Sequence, residues 1–163
     1  VHFRHHEVVG AKMTKKILQN LKYDKKTIKN VASLVELHLR PHTFKMGWTD
    51  SAVRRYIVDA GEVLEDLNNL VRADVTTKNK QKAEEIFEKL DEMETRIKEV
   101  LEKEEMSKLR PPISGDEIMS LFDLEPGPKV GVIMKALYEQ RINEGEVSKE
   151  EAIKLAKETF DNL

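Results

Sequence analysis

KNKQKAEEIFEKLDEMETRIKEVLEKEEMSK, residues 78–108, decides the fold class. Its apolar residues fall at Ala83, Ile86, Phe87, Leu90, Met93, Ile97, Val100 and Leu101. Steps of three and four put them on one side of a helix and leave the remaining faces charged. Glu85 with Lys89 and Glu94 with Lys98 add i,i+4 pairs along the exposed side. The stretch therefore predicts a long helix, either a spacer or one arm of a helical hairpin. Arg110, Pro111 and Pro112 break it, because proline lacks the amide proton and crowds the preceding turn.

Helical signals continue on both sides. Residues 5–21 read as an amphipathic helix interrupted by Gly10. Asp24 is a good N-cap for a helix over about 25–40, closed by Pro41. PHTFKMGWTD, residues 41–50, reads as a loop whose Trp48 packs down on the core. Thr49 or Asp50 caps the helix holding SAVRRYIVDAG, Gly61 stops it, and another helix covers about 62–74. Downstream, ISGDEIMSLFDL (113–124) predicts a short helix opening near Ser114 or Asp116. Pro128 starts one that stops at Gly145, and Ser148 with Glu151 forms a capping box for a helix over 149–161. No strand, hairpin or repeat signal competes, so the fold class is all-α.

Composition agrees. The chain has 163 residues, 39% hydrophobic and 36% charged, and no cysteine. Disulfides and thiolate metal sites are excluded, which fits a reducing, cytoplasmic setting. No apolar run approaches a membrane span and no stretch reads as a secretory signal. Val1 rather than methionine opens the chain, so the expectation is a processed chain or a piece of something longer. Charge is uneven. Residues 1–80 carry 15 basic and 9 acidic residues, and residues 81–163 carry 13 and 21. The basic half can meet a phosphate-bearing partner, although an uneven split is common in charged helical proteins.

Three polar residues stand on expected apolar stripes. His6 heads Val9, Met13, Ile17 and Leu21. His38 ends Ile28, Val31 and Val35. Asp74 ends Val63, Leu67 and Leu70. Buried polar groups need partners. Two imidazoles and a carboxylate suit a divalent ion that activates water against a phosphate ester. His5 and His42 are candidates for supporting those ligands or facing phosphate. The competing reading is a hydrogen-bonded core histidine or a helix-end aspartate bonding a backbone amide. Arg54 and Arg55 point in different directions on one helix, and Lys78, Lys80 and Lys82 follow Asp74. Lys135 and Arg141 lie on the helix after Pro128. Each is a phosphate candidate, with solvated surface charge as the alternative. No Gly-rich phosphate loop and no Gly-Ser with paired aspartates is present, nor any serine or cysteine nucleophile set beside a histidine in a local motif.

The blocks HHEVVGAKM, LVELHLRPH, WTDSAVRRYIVDAG, LVRADVTTKNK, ISGDEIM and LEPGPKVG, in that order, resemble the C-terminal half of bacterial tRNA nucleotidyltransferases. These are CCA-adding enzymes of the poly(A) polymerase family in the branch with an HD domain, and actinobacterial members are most similar. The resemblance covers about residues 2–160. It implies a partial HD domain over 1–77, a connecting helix over 78–110 and a tRNA-binding tail over 111–163. It implies that the catalytic head, which takes ATP, CTP and Mg²⁺, lies upstream. It places metal ligands at His6, His38 and Asp74, for Mg²⁺, Mn²⁺, Co²⁺ or Ni²⁺. The pattern's His-Asp dipeptide occurs nowhere in this chain. The implied partner is tRNA, with Arg54, Arg55, Lys78, Lys80, Lys129 and Lys135 as contacts, no membrane partner and a possible homodimer. A stand-alone HD phosphohydrolase and a helical dimerisation scaffold remain as other readings.

Overall fold

Asp24 accepts from the Thr27 amide at 3.0 Å and so starts the second helix where the sequence predicts. In the computed structural model this is one of eight α-helices among the described residues. Residues 5–104 and 110–163 are described, except the side chains at 45, 46 and 104. The order is α1 His6–Asn20, α2 Lys25–Leu37, α3 Asp50–Ala60, α4 Leu64–Ala73, α5 Lys80–Glu104, α6 Gly115–Phe122, α7 Pro128–Glu144 and α8 Lys149–Asp161. Short 3-10 turns cover Arg40–Met46, where a loop was expected, and Gly61–Val63. No strand occurs among the described residues, so the all-α class holds. The last expected residues of the long helix, 105–108, lie outside the described part.

The chain divides into two compact units. One holds the residues up to Trp48 together with Arg55–Ile97. The other holds Thr49–Arg54 and the residues from Lys98 onward. The division therefore falls inside α3 and α5, where a continuous helix carries no sequence break.

In the first unit α1 and α2 form an antiparallel hairpin. Ala11 and Ala32 are buried in it, and Gly10 lies against Val35. Val63, Leu67 and Val71 put one face of the α4 region into the core, with Tyr56 and Ile57 of α3 and Leu90 and Met93 of α5. Burying a large aliphatic side chain contributes about 1.5–3 kcal/mol. Tyr56 is 1% exposed and its hydroxyl donates to Asn68 Oδ1 at 2.9 Å. Burial pushes that phenol above its ordinary range and keeps it neutral. Trp48 packs on Phe44 and Tyr56 with ring centroids 5.5 and 5.1 Å away, as expected, and its indole donates to Thr43 Oγ1. Arg72 of α4 clamps Glu94 (3.0 and 2.8 Å) and Asp91 (2.5 Å) on successive turns of α5. Its hydrogen bonds to Glu94 and then Asp91 hold the guanidinium protonated well above its ordinary range.

Two expected stripes are corrected. Val9, Met13, Ile17 and Leu21 are exposed. The face of α1 on α2 is Glu7, Gly10, Ala11, Thr14 and Leu18, which are buried or half-buried. Small residues let helix backbones approach, and a shift of one residue turns a helix face by about 100°. On α4 the buried step is Val63, Leu67, Val71, so Leu70 and Asp74 turn outward.

The second unit centres on Ile113, Ile118, Ile133, Leu137, Ala152 and Ala156. Both predicted caps form. Ser114 Oγ accepts from the Glu117 amide at 3.2 Å while Glu117 accepts the Ser114 amide at 2.8 Å. Ser148 and Glu151 repeat this at 3.2 and 2.9 Å. Gly145 ends α7 at φ +85°, and an added Cβ there would stand 2.8 Å from Arg54 Nη2.

Two outcomes are expected. Gly145→Ala adds both a left-handed strain and this clash, and should cost about 1–3 kcal/mol in chemical denaturation. The Lys149 ammonium, and then the Ser114 amide, hold Glu117 below its ordinary 4.5. The Ser148 hydroxyl and amide do the same for Glu151. A carboxyl lowered on folding stabilises fully above its unfolded value and loses that contribution as pH falls through the lower folded one. Helical signal should therefore decline below about pH 4.5, and Glu117→Gln with Glu151→Gln should flatten that acid limb.

Candidate functional site

His6 opens α1 and His38 caps the C-terminus of α2, so the antiparallel hairpin brings the two imidazoles to the same end. Their ring centroids are 5.5 Å apart at 54°. His38 Nδ1–H donates to the Val35 carbonyl at 2.7 Å. That bond places a proton on Nδ1, so Nε2 is the ring nitrogen that could ligate a metal. His6 Nδ1 lies 4.0 Å and His5 Nδ1 3.7 Å from the Glu7 carboxylate. His5 precedes α1 in a left-handed conformation, φ 60°, and is exposed.

Asp74 stands apart as the exposed C-cap of α4, its amide donating to the Leu70 carbonyl at 3.0 Å. Among the described residues no three histidine, cysteine, aspartate or glutamate side chains are grouped to hold a metal. Two imidazoles are half of a four-coordinate set, so these residues alone do not make a complete metal centre. His42 is exposed and lines a cleft with Pro41, Phe44, Val71, Ile86, Lys89 and Leu90. The cleft has about 20 Å³ of room. It takes one water and not a nucleotide.

The expected phosphate contacts separate into two kinds. Lys78, Lys80 and Lys135 are exposed. Lys129 is also exposed, with Nζ 5.9 Å from the centre of the Phe160 ring, which itself stacks on Phe122 at 4.7 Å. Arg55 is half-buried. Arg54 is a correction: it is 8% exposed, and Nη1 donates to the Ile142 carbonyl at 3.1 Å. The C-terminal end of a helix carries partial negative charge, so a guanidinium there is favourable, and Gly145 leaves room for it. Arg141 is also buried, at 5%. The one signal that could have shown this is Gly145, whose missing side chain admits Arg54. The clamp between Arg72 and α5 went unread because Asp91 and Glu94 look like an ordinary solvated face.

Against this geometry the comparisons are specific. The family model described as tRNA nucleotidyltransferase domain 2 (putative) matches residues 7–156. The chain belongs to that tRNA nucleotidyltransferase family. It is 35% identical over 141 residues to an A-adding tRNA nucleotidyltransferase of Deinococcus radiodurans, covering 85% of this chain and 31% of that protein. It is also 35% identical over 152 residues to a CC-adding tRNA nucleotidyltransferase of Thermus thermophilus, covering 92% of this chain and 32% of that protein. The chain thus spans about a third of the curated relatives it matches. No solved structure matches it. No helix of the described residues is long and apolar enough to cross a membrane.

Arg54→Ala should leave the end of α7 without its cation and open a cavity. A loss of about 2–4 kcal/mol in denaturant unfolding is expected. Unchanged stability would return Arg54 to the phosphate contacts.

Proposed function

We propose that this chain is the C-terminal helical part of an enzyme that adds nucleotides to the 3′ end of tRNA, and that it holds the tRNA rather than performing the transfer. The match over residues 7–156 carries the reading. The order of six sequence blocks and the names of both relatives support it. The chemistry of the chain is consistent: it has no Gly-Ser with paired aspartates to bind the two metal ions of a polymerase site. ATP, CTP and Mg²⁺ then belong to a head outside this chain. It offers exposed lysines to the phosphate backbone at 78, just before α5, and at 80, 129 and 135 on its helices. Recognition of this kind reads the shape and backbone of a folded RNA rather than its sequence.

A second reading rests on the histidine pair. His6 and His38 supply two nitrogen donors, with Nε2 the available nitrogen of His38. In the whole protein they would be two ligand positions of an HD-type divalent metal site, with Asp74 the third only if α4 is brought to them. Such a metal would lower the pKa of a bound water for phosphate ester hydrolysis.

The full-length protein should bind a tRNA transcript with affinity that falls steeply with salt, on the order of 10³-fold between 50 and 200 mM if about six phosphates are neutralised. It should incorporate labelled nucleotide at the 3′ end while the 163-residue chain alone does not. Salt-independent binding in a nitrocellulose filter assay would sink the reading. For the histidines, Mn²⁺ titration followed by paramagnetic broadening should lose its site in His38→Ala.

A further inference from the structure

The end of α1, the turn and the start of α2 together carry a local excess of positive charge in a chain whose remainder is acidic. Residues 12–29 hold seven lysines and one aspartate, a net of +6. The rest of the chain holds 21 basic and 29 acidic residues, a net of −8. All seven lysines are exposed. Only Lys26 has an acidic partner among the described residues, Glu62 at 3.3 Å on the surface. The one acidic residue in the stretch, Asp24, is committed to the Thr27 amide and hydroxyl as a helix cap. Those two hydrogen bonds hold its carboxyl below the ordinary range, and it forms no ion pair with a lysine among the described residues.

The arrangement is locally unfavourable. Lys12 with Lys15 and Lys16 on α1, and Lys29 with Lys25 and Lys26 on α2, stand three or four residues apart, where like charges repel. Lys22 itself sits in a left-handed conformation, φ 57°, in the turn. At the tip Leu21 is 64% and Tyr23 52% exposed. Unpaired like charges around an exposed aromatic ring suit a polyanion whose bases can stack. The hairpin places them at one end, where α1 stops at Asn20 and α2 starts at Lys25.

We propose that the tip of the α1–α2 hairpin, Lys15, Lys16, Lys22, Lys25 and Lys29 around Tyr23, receives the phosphate backbone of RNA, with the Tyr23 ring offered to an unpaired base. This rests on the tRNA reading above and adds a surface that reading does not use. Membership of a tRNA nucleotidyltransferase family favours RNA over an anionic membrane, which the same lysines could also meet.

The test uses the full-length protein and a tRNA transcript in filter binding across a salt series. Lys15, Lys22, Lys25 and Lys29 are changed together to Gln. A charge-matched control changes Lys98, Lys103, Lys154 and Lys157 to Gln. The hairpin variant should lose at least about tenfold in affinity near 0.1 M salt, and its log–log salt slope should become shallower by about two to three. The control should change neither, and the same four positions as Arg should retain binding. Tyr23→Ala should weaken binding about fivefold or more with the slope unchanged. Circular dichroism should show normal helix content throughout, since every altered side chain is exposed. Equal slopes in the hairpin variant and the wild type overturn the proposal and leave the tRNA reading standing. A wild type that binds no tRNA removes that reading first. Partition of the wild type onto phosphatidylserine vesicles, lost in the hairpin variant while tRNA binding persists, assigns the surface to a membrane and also overturns it.

Discussion

Gly10 has no side chain to hold α1 away from α2. A Cβ there would stand 3.1 Å from Val35 Cγ1, tighter than an ordinary contact. A glycine inside a helix costs roughly 1 kcal/mol against alanine, so the position is occupied at some expense to α1 alone. What offsets it is the close packing of Ala11 and Ala32, both nearly inaccessible to water. Three features of the first unit follow from that contact. It sets the rotation of α1, and so turns Val9, Met13 and Ile17 outward. It brings the His6 ring beside His38. It also sets the pairing of the two helices that flank the lysine-rich turn.

Charge plays opposite parts in the two units. In the second, Arg54 and Arg141 are withdrawn from water, and Arg54 is spent on a backbone carbonyl at the end of α7. Buried guanidinium groups of this kind specify how a chain end packs, and removing one leaves its acceptor unsatisfied. In the first, the lysines of residues 12–29 stay in water with almost no acidic partners. An arginine with a planar fork suits the buried task, and a flexible, strongly hydrated lysine suits an exposed phosphate. The division of labour follows the physical difference between the two cations.

The histidine pair falls between these cases. Its rings lie 5.5 Å apart and His38 Nδ1 bonds the Val35 carbonyl, but the carboxylate expected beside it caps a different helix end. Among the described residues the pair has no third donor grouped with it, and the matched relatives are about three times as long as the matched region.

The sequence by itself determined the helices and most of their ends. Asp24 with Thr27, Ser114 with Glu117 and Ser148 with Glu151 are partners three residues apart, and Pro128 and Gly145 act on their own backbone, so nothing distant is needed to read them. The order of the six sequence blocks likewise pointed to the family. Only the tertiary structure decided which face of α1 is buried, that Asp74 turns outward, that Arg54 points inward and that α5 is shared between two units. Each depends on residues far apart in the chain. Apolar residues at helical spacing show that a stripe exists, but the smallest residues, Gly10 and Ala11, decide which stripe a neighbouring helix can reach.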